Sequence, residues 1–253
     1  MDVGLNVKPT EYDQWFPLLP GVRFCRVFSG PGRGLPNLSG GAIRRLPPGC
    51  LPHISHKDEV PIREVEAFWS ALPAAPPCRR YRWTFRHEGE DYDRARYHAY
   101  WRELRKARDG HPRCAEIELV AIHTLYASRY KVDVEWRRWM LPGVADTDGW
   151  DCYPPTAFPS YEPPESLFGL PVAAAREFGM PLSIPEWGAT LRGGDTGARR
   201  ARWFAEGAAF LGAQGCTAVG LWCSYEKTNG RSYDYRPDGA TLAVWQEIVA
   251  AHA

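Results

Sequence analysis

The chain has 253 residues, of which 44% are hydrophobic and 24% charged, and its formal net charge is +1 at pH 7. This composition is typical of a globular protein and excludes a disordered, collagen-like or coiled-coil chain. Because the charges are balanced, we expect neither a nucleic acid nor a membrane surface as a partner.

Short runs rich in β-branched and aromatic residues recur eight times along the chain and alternate with longer segments. Such alternation is typical of strand–helix units that build a parallel sheet. The predicted strands are Val3–Val7, Arg23–Phe28, Leu51–Ser55, Tyr81–Arg86, Ile117–His123, Gly149–Tyr153, Leu182–Pro185 and Ala218–Cys223.

The segments between these strands differ in their helix signals. Pro61 stands at the start of one helical pattern, and Asp91, Asp195 and Asp238 are expected to start three more helices. The segments after strands one, two and five are predicted to be irregular or only briefly helical. The Pro-rich stretches are predicted loops.

Eight strands that alternate with helices in a chain of this length predict an α/β fold, a single (β/α)8 TIM barrel. We expect it to occupy residues 1–253 as one domain. An open, doubly wound sheet is the main alternative, because it uses the same strand–helix units.

Seven cysteines are spread along the chain without a C-x-x-C pair. Their odd number and wide spacing predict neither a disulfide framework nor a structural zinc site. The N-terminal sequence MDVGLNVKP lacks the basic and apolar regions of a secretory signal, and no run of 18 apolar residues occurs. The localisation is left open between a cytoplasmic protein and a domain of a larger secreted or particle-associated protein.

Two glutamates follow hydrophobic strands directly. Glu88 comes after strand four and Glu186 after strand seven, each with a glycine (Gly89, Gly188) within two residues that is expected to allow a sharp turn. In a barrel these strand ends face one another at the catalytic end. Glycoside hydrolysis needs two carboxyls flanking one bond, so the pair favours that chemistry. The alternative for either glutamate alone is a structural ion pair with a neighbouring arginine.

Several segments carry a family resemblance. RHEGEDYDRARYHAYW resembles the strand-four motif of glycoside hydrolase family 26, and PLSIPEWGA resembles its strand-seven motif. WDCY and GLWCSYE resemble strands six and eight. The resemblance extends to clan A, whose members are retaining enzymes on (β/α)8 barrels. It implies that Glu88 is the general acid/base and Glu186 the nucleophile, and that the enzyme needs no metal and no cofactor. It also implies a β-linked polysaccharide or oligosaccharide, β-mannan-like or related, as substrate, with endo action favoured over exo action and a monomeric protein.

The same resemblance implies roles for three further residues. His87 would orient the acid or bind the sugar, Tyr153 would donate its hydroxyl to the nucleophile, and Trp222 would stack under the sugar. Strand-end position alone adds five more candidates for substrate binding, which are Arg26, Lys57, His123, Asp151 and Trp187.

The eleven tryptophans divide by position. Those at helical spacing are predicted to be core residues, namely Trp69, Trp101, Trp203 and Trp245. Those at strand ends are predicted to stack on sugars, namely Trp150, Trp187 and Trp222.

Two other functions use the same fold. One is a carbohydrate-binding or structural barrel that kept the cleft without catalysis. The other is a metal-dependent hydrolase that uses His53, His56 or His123. On a strand, residues three apart face opposite sides, so His53 and His56 are not expected to share an ion.

Overall fold

Eight parallel strands close into a barrel, as seen in a computed structural model that describes residues 1–131, 135–156, 159–228 and 231–253. Each strand pairs with the next one along the chain, and the eighth pairs with the first. The predicted (β/α)8 TIM barrel is therefore confirmed, and the open doubly wound sheet is wrong. The strands are β1 Asp2–Asn6, β2 Phe24–Ser29, β3 Leu51–His56, β4 Tyr81–Phe85, β5 Ile117–Thr124, β6 Thr147–Cys152, β7 Leu182–Trp187 and β8 Ala218–Trp222.

Helices follow the strands around the outside of the barrel. A two-stranded antiparallel hairpin, β9 Tyr225–Thr228 and β10 Arg231–Asp234, follows β8 and has no counterpart among the predicted elements. The helices are α1 Tyr12–Trp15, α2 Gly41–Arg44, α3 Ile62–Ala71, α4 Arg94–Gly110, α5 Leu125–Tyr130, α6 Pro164–Leu167, α7 Gly169–Phe178, α8 Ala198–Ala213 and α9 Gly239–Ala250.

The helix starts agree with the sequence signals in part. Asp238 caps α9 by accepting a hydrogen bond from the Thr241 N–H at 2.9 Å, as predicted. The prediction of Asp91 as the cap of α4 is wrong, because Asp93 takes that position and residues 89–91 form a 3-10 turn. Helix α7 is also missing from the predicted elements, although a first-turn proline and a C-terminal glycine mark it after a Pro-rich loop.

The core lies between the barrel and the helices. Four tryptophans predicted to be core residues are 0–3% exposed there, two on α3 and α4 and two on α8 and α9. The segments after β1, β2 and β5 contain only the short helices α1, α2 and α5, as predicted. No helix in the described ranges is both long enough and apolar enough to cross a bilayer.

Strand β7 contains a bulge. Two residue steps on β6, from Gly149 to Asp151, face three steps on β7, from Ser183 to Glu186. The register against β8 shifts in the same stretch. One extra residue reverses the in–out alternation of a strand, so the side chains beyond it point the opposite way. The bulge therefore decides which of the last residues of β7 face the barrel interior.

Candidate active site

Arg26 on β2 lies at the centre of a charged network inside the C-terminal end of the barrel. Its Nη1 atom contacts Glu186 Oε1 at 2.7 Å and both carboxylate oxygens of Asp151 at 3.1 Å. The Arg26 side chain is fully buried, so these carboxylates replace the water it has lost. Its Nη2 atom lies 3.5 Å from the Ser55 hydroxyl, which in turn contacts Nδ1 of His87 at 2.8 Å.

Glu186 faces the barrel interior because of the bulge in β7. Its second carboxylate oxygen accepts a hydrogen bond from the Tyr153 hydroxyl at 2.6 Å, the contact expected from the sequence. The Asn6 side chain holds the bulge in place by donating to the Pro185 carbonyl at 2.5 Å. A Cβ atom at Gly220 would lie 2.0 Å from that carbonyl oxygen, so this position requires glycine. Two donors and a fixed backbone thus hold the Glu186 carboxylate in one orientation and stabilise its negative charge.

Glu88 lies three residues beyond the end of β4. Its backbone is in the left-handed region, with φ 55°, and Arg86 has φ 48°. Each such residue costs ~1–3 kcal/mol, which the surrounding contacts must offset. The Glu88 N–H donates to the Ile122 carbonyl at 2.9 Å and so ties the loop to the next strand. The sharp turn falls on Arg86 and Glu88, whereas Gly89 is needed because a Cβ there would lie 2.6 Å from the Tyr97 ring.

The network contains more carboxyl groups than cationic groups. Desolvation raises the pKa of Glu88, and the charge of Glu186 raises it further, while Arg26 and Lys57 lower it. Desolvation also raises the pKa of Asp151 well above its usual range, against the influence of Arg26. A carboxyl whose pKa is raised keeps its proton to higher pH. Glu88 can therefore donate a proton under conditions in which an exposed glutamate would be ionised.

Burial lowers the pKa of His87 well below its usual range, and the charges of Arg26 and Lys57 lower it further. The ring is therefore neutral and accepts or donates hydrogen bonds without adding charge. It lies beside Glu88 in sequence and contacts the Phe28 ring edge-on, at 5.4 Å between ring centroids.

Aromatic rings surround the opening above the carboxylates. The Phe28 side chain is 41% exposed and its ring lies 6.0 Å from that of Trp222, which in turn lies 6.3 Å from Tyr153. The Arg26 guanidinium lies 4.7 Å from the Phe28 ring centroid. Such a surface suits a pyranose, because the C–H face of the sugar can pack on an aromatic ring while its hydroxyl groups form hydrogen bonds with nearby polar groups.

The ten predicted site residues fall into three groups in the structure. Six lie at the opening or directly below it. Glu186 is buried there, and the other five are partly exposed, namely Lys57, His87, Glu88, Tyr153 and Trp222. Arg26 and Asp151 are 1% exposed and lie beneath Glu186. Their assignment as substrate contacts is corrected: Arg26 contacts Glu186, and Asp151 contacts Arg26.

Two other predictions are wrong. Trp187 is fully buried and packs against α8, where a Cβ at Gly207 would lie 2.4 Å from its indole. The bulge turns Glu186 inward and so turns Trp187 outward. His123 is 2% exposed and faces outward from β5, beside the Trp150 ring at 5.1 Å. Trp150 is itself fully buried, so it is a core residue and no stacking surface.

The histidines proposed for a metal point in different directions. His53 lies inside the barrel and contacts the Thr84 hydroxyl at 2.8 Å, while His56 faces outward onto Trp83. His123 lies on a third side, between two carboxylates. Over the parts of the chain that the structure describes, no group of three histidine, cysteine or carboxylate side chains is arranged to hold a metal ion.

Four residues that shape the site are absent from the predicted set. Phe28, Ser55 and Asn6 lie at or near strand ends, so the strand-end rule could have found them, but their residue types carry no chemical signal of their own. Tyr235 lies 5.4 Å from the Tyr153 ring and comes from the segment after the unpredicted hairpin. A Cβ at Gly188 would lie 3.0–3.2 Å from Trp222, Tyr235 and Tyr153, so this glycine makes room for the aromatic wall.

Solved structures of other proteins share this fold, whereas no protein-family model and no curated protein sequence matches the chain. An endo-β-1,3-glucanase of glycoside hydrolase family 128 from Amycolatopsis mediterranei, solved with laminaripentaose, superposes with a TM-score of 0.62 at 12% identity, over 97% of this chain and 98% of its own. An endo-1,4-β-D-mannanase from Thermotoga petrophila gives 0.59 at 12% identity over 98% and 99%. An endo-β-1,4-glucanase from Xanthomonas axonopodis gives 0.58 at 10% identity over 98% of both chains. At these identities the likeness establishes the barrel and not the activity.

Proposed function

We propose that the protein is a retaining glycoside hydrolase that cleaves β-linkages within a polysaccharide or oligosaccharide. The observation that carries this proposal is the contrast between its two glutamates. Glu186 receives hydrogen bonds from Arg26 and Tyr153 at 2.7 and 2.6 Å, while burial and the charge of Glu186 raise the pKa of Glu88. A carboxyl that keeps its proton to higher pH and a second carboxyl held by two hydrogen-bond donors are the two groups that glycoside hydrolysis requires.

In the first step Glu186 acts as the nucleophile. A carboxylate oxygen attacks the anomeric carbon, and the bond from that carbon to the glycosidic oxygen breaks. The proton of Glu88 moves to the departing oxygen. The product is a covalent glycosyl-enzyme ester on Glu186 and a shortened glycan with a free hydroxyl.

In the second step Glu88, now ionised, removes a proton from water. The resulting hydroxide attacks the anomeric carbon and releases Glu186 as a carboxylate. Two inversions at one carbon give net retention of configuration. Arg26 and Tyr153 contact Glu186 throughout, and their hydrogen bonds strengthen as its charge returns.

A β-glycan is supported as the substrate by the aromatic opening and by the fold neighbours. Phe28 and Trp222 present partly exposed rings beside the carboxyls. The neighbours named above are described as acting on β-1,3-glucan, β-1,4-mannan and β-1,4-glucan. Endo action agrees with an opening bounded by loops, and membership of glycoside hydrolase family 26 stays a prediction.

The deciding experiment combines a substrate panel with a nucleophile trap. The purified protein is incubated with β-1,3-glucan, β-1,4-glucan, β-1,4-mannan and β-1,4-galactan, and new reducing ends are measured. The 2,4-dinitrophenyl 2-deoxy-2-fluoro glycoside of the hydrolysed sugar then traps the covalent intermediate. We expect the label on the peptide that contains Glu186, with no label and no turnover in Glu186→Ala.

The matched control is Glu118→Ala, which removes a buried carboxylate from the other end of the barrel. It should retain turnover and labelling. A label on another residue, or turnover retained in Glu186→Ala, contradicts the assignment of the nucleophile. Binding of a glycan without any hydrolysis would favour the non-catalytic alternative.

A further inference from the structure

A second charged cluster lies on the outer side of the barrel, directly behind the loop that carries Glu88. His123 on β5 stands between two carboxylates, with Nδ1 at 3.7 Å from Glu90 Oε1 and Nε2 at 3.4 Å from Asp148 Oδ1. All three side chains are at most 2% exposed. Trp150 donates its indole N–H to the other oxygen of Asp148 at 2.8 Å.

Buried charges are costly unless they are paired, so this cluster needs an explanation. The hydrolytic mechanism described above uses none of its members. Its two carboxylates raise the pKa of His123 to about 9 against the effect of burial, so the imidazole is protonated and the cluster is held together by charge. The side chain that faces it from α4 is Tyr97.

Glu90 connects this cluster to the proposed acid. It lies two residues after Glu88 in the 3-10 turn Gly89–Asp91, and its Oε1 atom accepts the Thr124 N–H at 3.0 Å. The Glu88 N–H donates to the Ile122 carbonyl at 2.9 Å. The loop is therefore attached to the end of β5 twice, once through its main chain and once through the Glu90 side chain.

This attachment matters because the loop backbone is strained. Arg86 and Glu88 both have positive φ, which neither residue adopts freely. Without external contacts such a loop would relax to ordinary backbone angles and turn the Glu88 carboxyl away from Glu186.

We propose that Glu90 and His123 are positioning residues: the buried Glu90–His123–Asp148 ion pairs hold the loop 86–91 in the strained conformation that directs Glu88 at the glycosidic oxygen. This inference rests on the proposed function and assigns His123 a role other than sugar binding. Neither Glu90 nor His123 touches the substrate.

Leaving-group dependence tests the proposal, because a misplaced acid affects only substrates that need a proton. For Glu90→Ala we expect kcat/KM on the hydrolysed polysaccharide to fall about tenfold or more. On the 2,4-dinitrophenyl glycoside of the same sugar, whose leaving group departs without protonation, kcat/KM should change less than about threefold. The ratio of the two values is measured in one preparation, so a partly unfolded sample does not alter it.

Two further variants sharpen the result. Glu90→Gln keeps an oxygen for the Thr124 N–H but loses the charge, so its ratio should lie between those of the wild type and Glu90→Ala. Glu118→Ala removes a buried carboxylate from the N-terminal end of β5, the strand that carries His123 near its other end. The ratio for this variant should equal that of the wild type. An equal loss on both substrates in Glu90→Ala, or no loss on either, overturns the proposal.

Hydrogen–deuterium exchange gives a readout that needs no substrate. Glu90→Ala should accelerate exchange in peptides that cover residues 86–91, while β4 and the centre of α4 keep their protection. Unchanged exchange in the loop contradicts the positioning role even if the protein hydrolyses no glycan. If the wild-type protein hydrolyses no glycan but Glu90→Ala still exchanges faster in the loop, the proposed function is rejected and the attachment of the loop through Glu90 is kept.

Discussion

Two arginines are buried inside the barrel, one near each end, and their surroundings are alike at first sight. Arg82 on β4 contacts Asp2 at 2.8 Å and Glu118 at 3.3 Å, and its guanidinium lies 4.6 Å from the Phe24 ring. Arg26 on β2 likewise has two carboxylate partners and a phenylalanine ring at 4.7 Å. Both ends of the barrel therefore hold the same arrangement, a buried arginine that binds two carboxylates and lies against a phenylalanine of β2.

The two ends differ in charge balance. At the N-terminal end of the strands, Asp2 also contacts Arg23 at 3.6 Å, and Glu118 accepts a hydrogen bond from Thr147. At the C-terminal end, the open end, Glu88 is a third carboxyl beside the two that Arg26 already binds, and its pKa and that of Asp151 are raised. Balanced charges stabilise a fold, whereas excess negative charge next to an opening leaves a carboxyl that holds a proton for transfer.

His53 lies between these two ends. It is fully buried, and its pKa is lowered well below the usual range by desolvation and by the charges of Arg26 and Arg82. A neutral ring at this position adds no charge to either network. We therefore expect a substitution in one of the two arginine networks to leave the other network unchanged.

The largest effect is expected for Glu88→Gln, which removes the proton donor without changing its size. We expect kcat/KM on the polysaccharide to fall about 10²–10⁴-fold. The decline of the rate at high pH should disappear, because that decline reports the loss of the Glu88 proton. Initial rates across pH 4–9 test both expectations, and an unchanged alkaline limb would show that another group is the acid.

Arg82→Met should remove the ion pairs at the N-terminal end of the barrel and leave those at the C-terminal end intact. It leaves Asp2 and Glu118 without their main partner, which we expect to lower the free energy of unfolding by about 3 kcal/mol. Urea denaturation measures this loss. The activity per folded molecule should stay at the wild-type value, in contrast to Arg26→Met, which should lose both stability and activity because Glu186 loses a hydrogen bond. Equal activity in the two variants would remove the functional difference between the ends.

Trp222→Ala tests the aromatic surface of the open end. Loss of one stacking face should cost about 1–2 kcal/mol of binding and so raise KM roughly tenfold, with a smaller change in kcat. Trp245→Ala is no suitable control, because that ring is fully buried in the core. Tyr126→Ala is suitable, since Tyr126 on α5 is 65% exposed and its ring lies against that of Tyr130. A KM unchanged in Trp222→Ala would argue against sugar stacking there.

The smallest effect concerns the charge at the rim. Lys57 lowers the pKa of Glu88 by stabilising its ionised form. Lys57→Gln should therefore raise that pKa and move the alkaline limb of the pH–rate profile to higher pH. Lys106→Gln on the exposed face of α4 is the control and should leave the profile unchanged. A downward shift in Lys57→Gln would reverse the sign and reject this electrostatic account.

Strand positions could be predicted from the sequence because they depend on local properties. Each strand is a short buried run, and residues that follow the C-terminal ends of parallel strands must gather at one end of a barrel. The positions of Glu88, His87, Tyr153 and Trp222 along the chain are therefore enough to predict that they share one end. The hydrogen bond from Tyr153 to Glu186 was implied by the family resemblance alone.

The errors in the site share one cause. Trp187 and Glu186 are neighbours, and the direction of each depends on the extra residue in β7. That bulge exists only in relation to β6 and β8, which are separated from β7 by whole helices and loops of the chain. No local sequence pattern predicts this bulge. In the structure Gly149 and Gly220 lie against Pro185, where a Cβ atom on either glycine would come within 3.1 and 2.0 Å of the proline.

Eight strands that alternate with helices, and the end at which their carboxyls collect, could be predicted from the sequence, because strands and helices follow from short-range hydrophobic patterns and the C-terminal ends of parallel strands lie on one side. The folded chain was needed to show that Glu186 faces inward and Trp187 outward, that the Glu88 backbone is strained and attached through Glu90, and that Arg26 is shared by two carboxylates. These features depend on pairing between strands distant in sequence and on charges that meet only after the barrel closes.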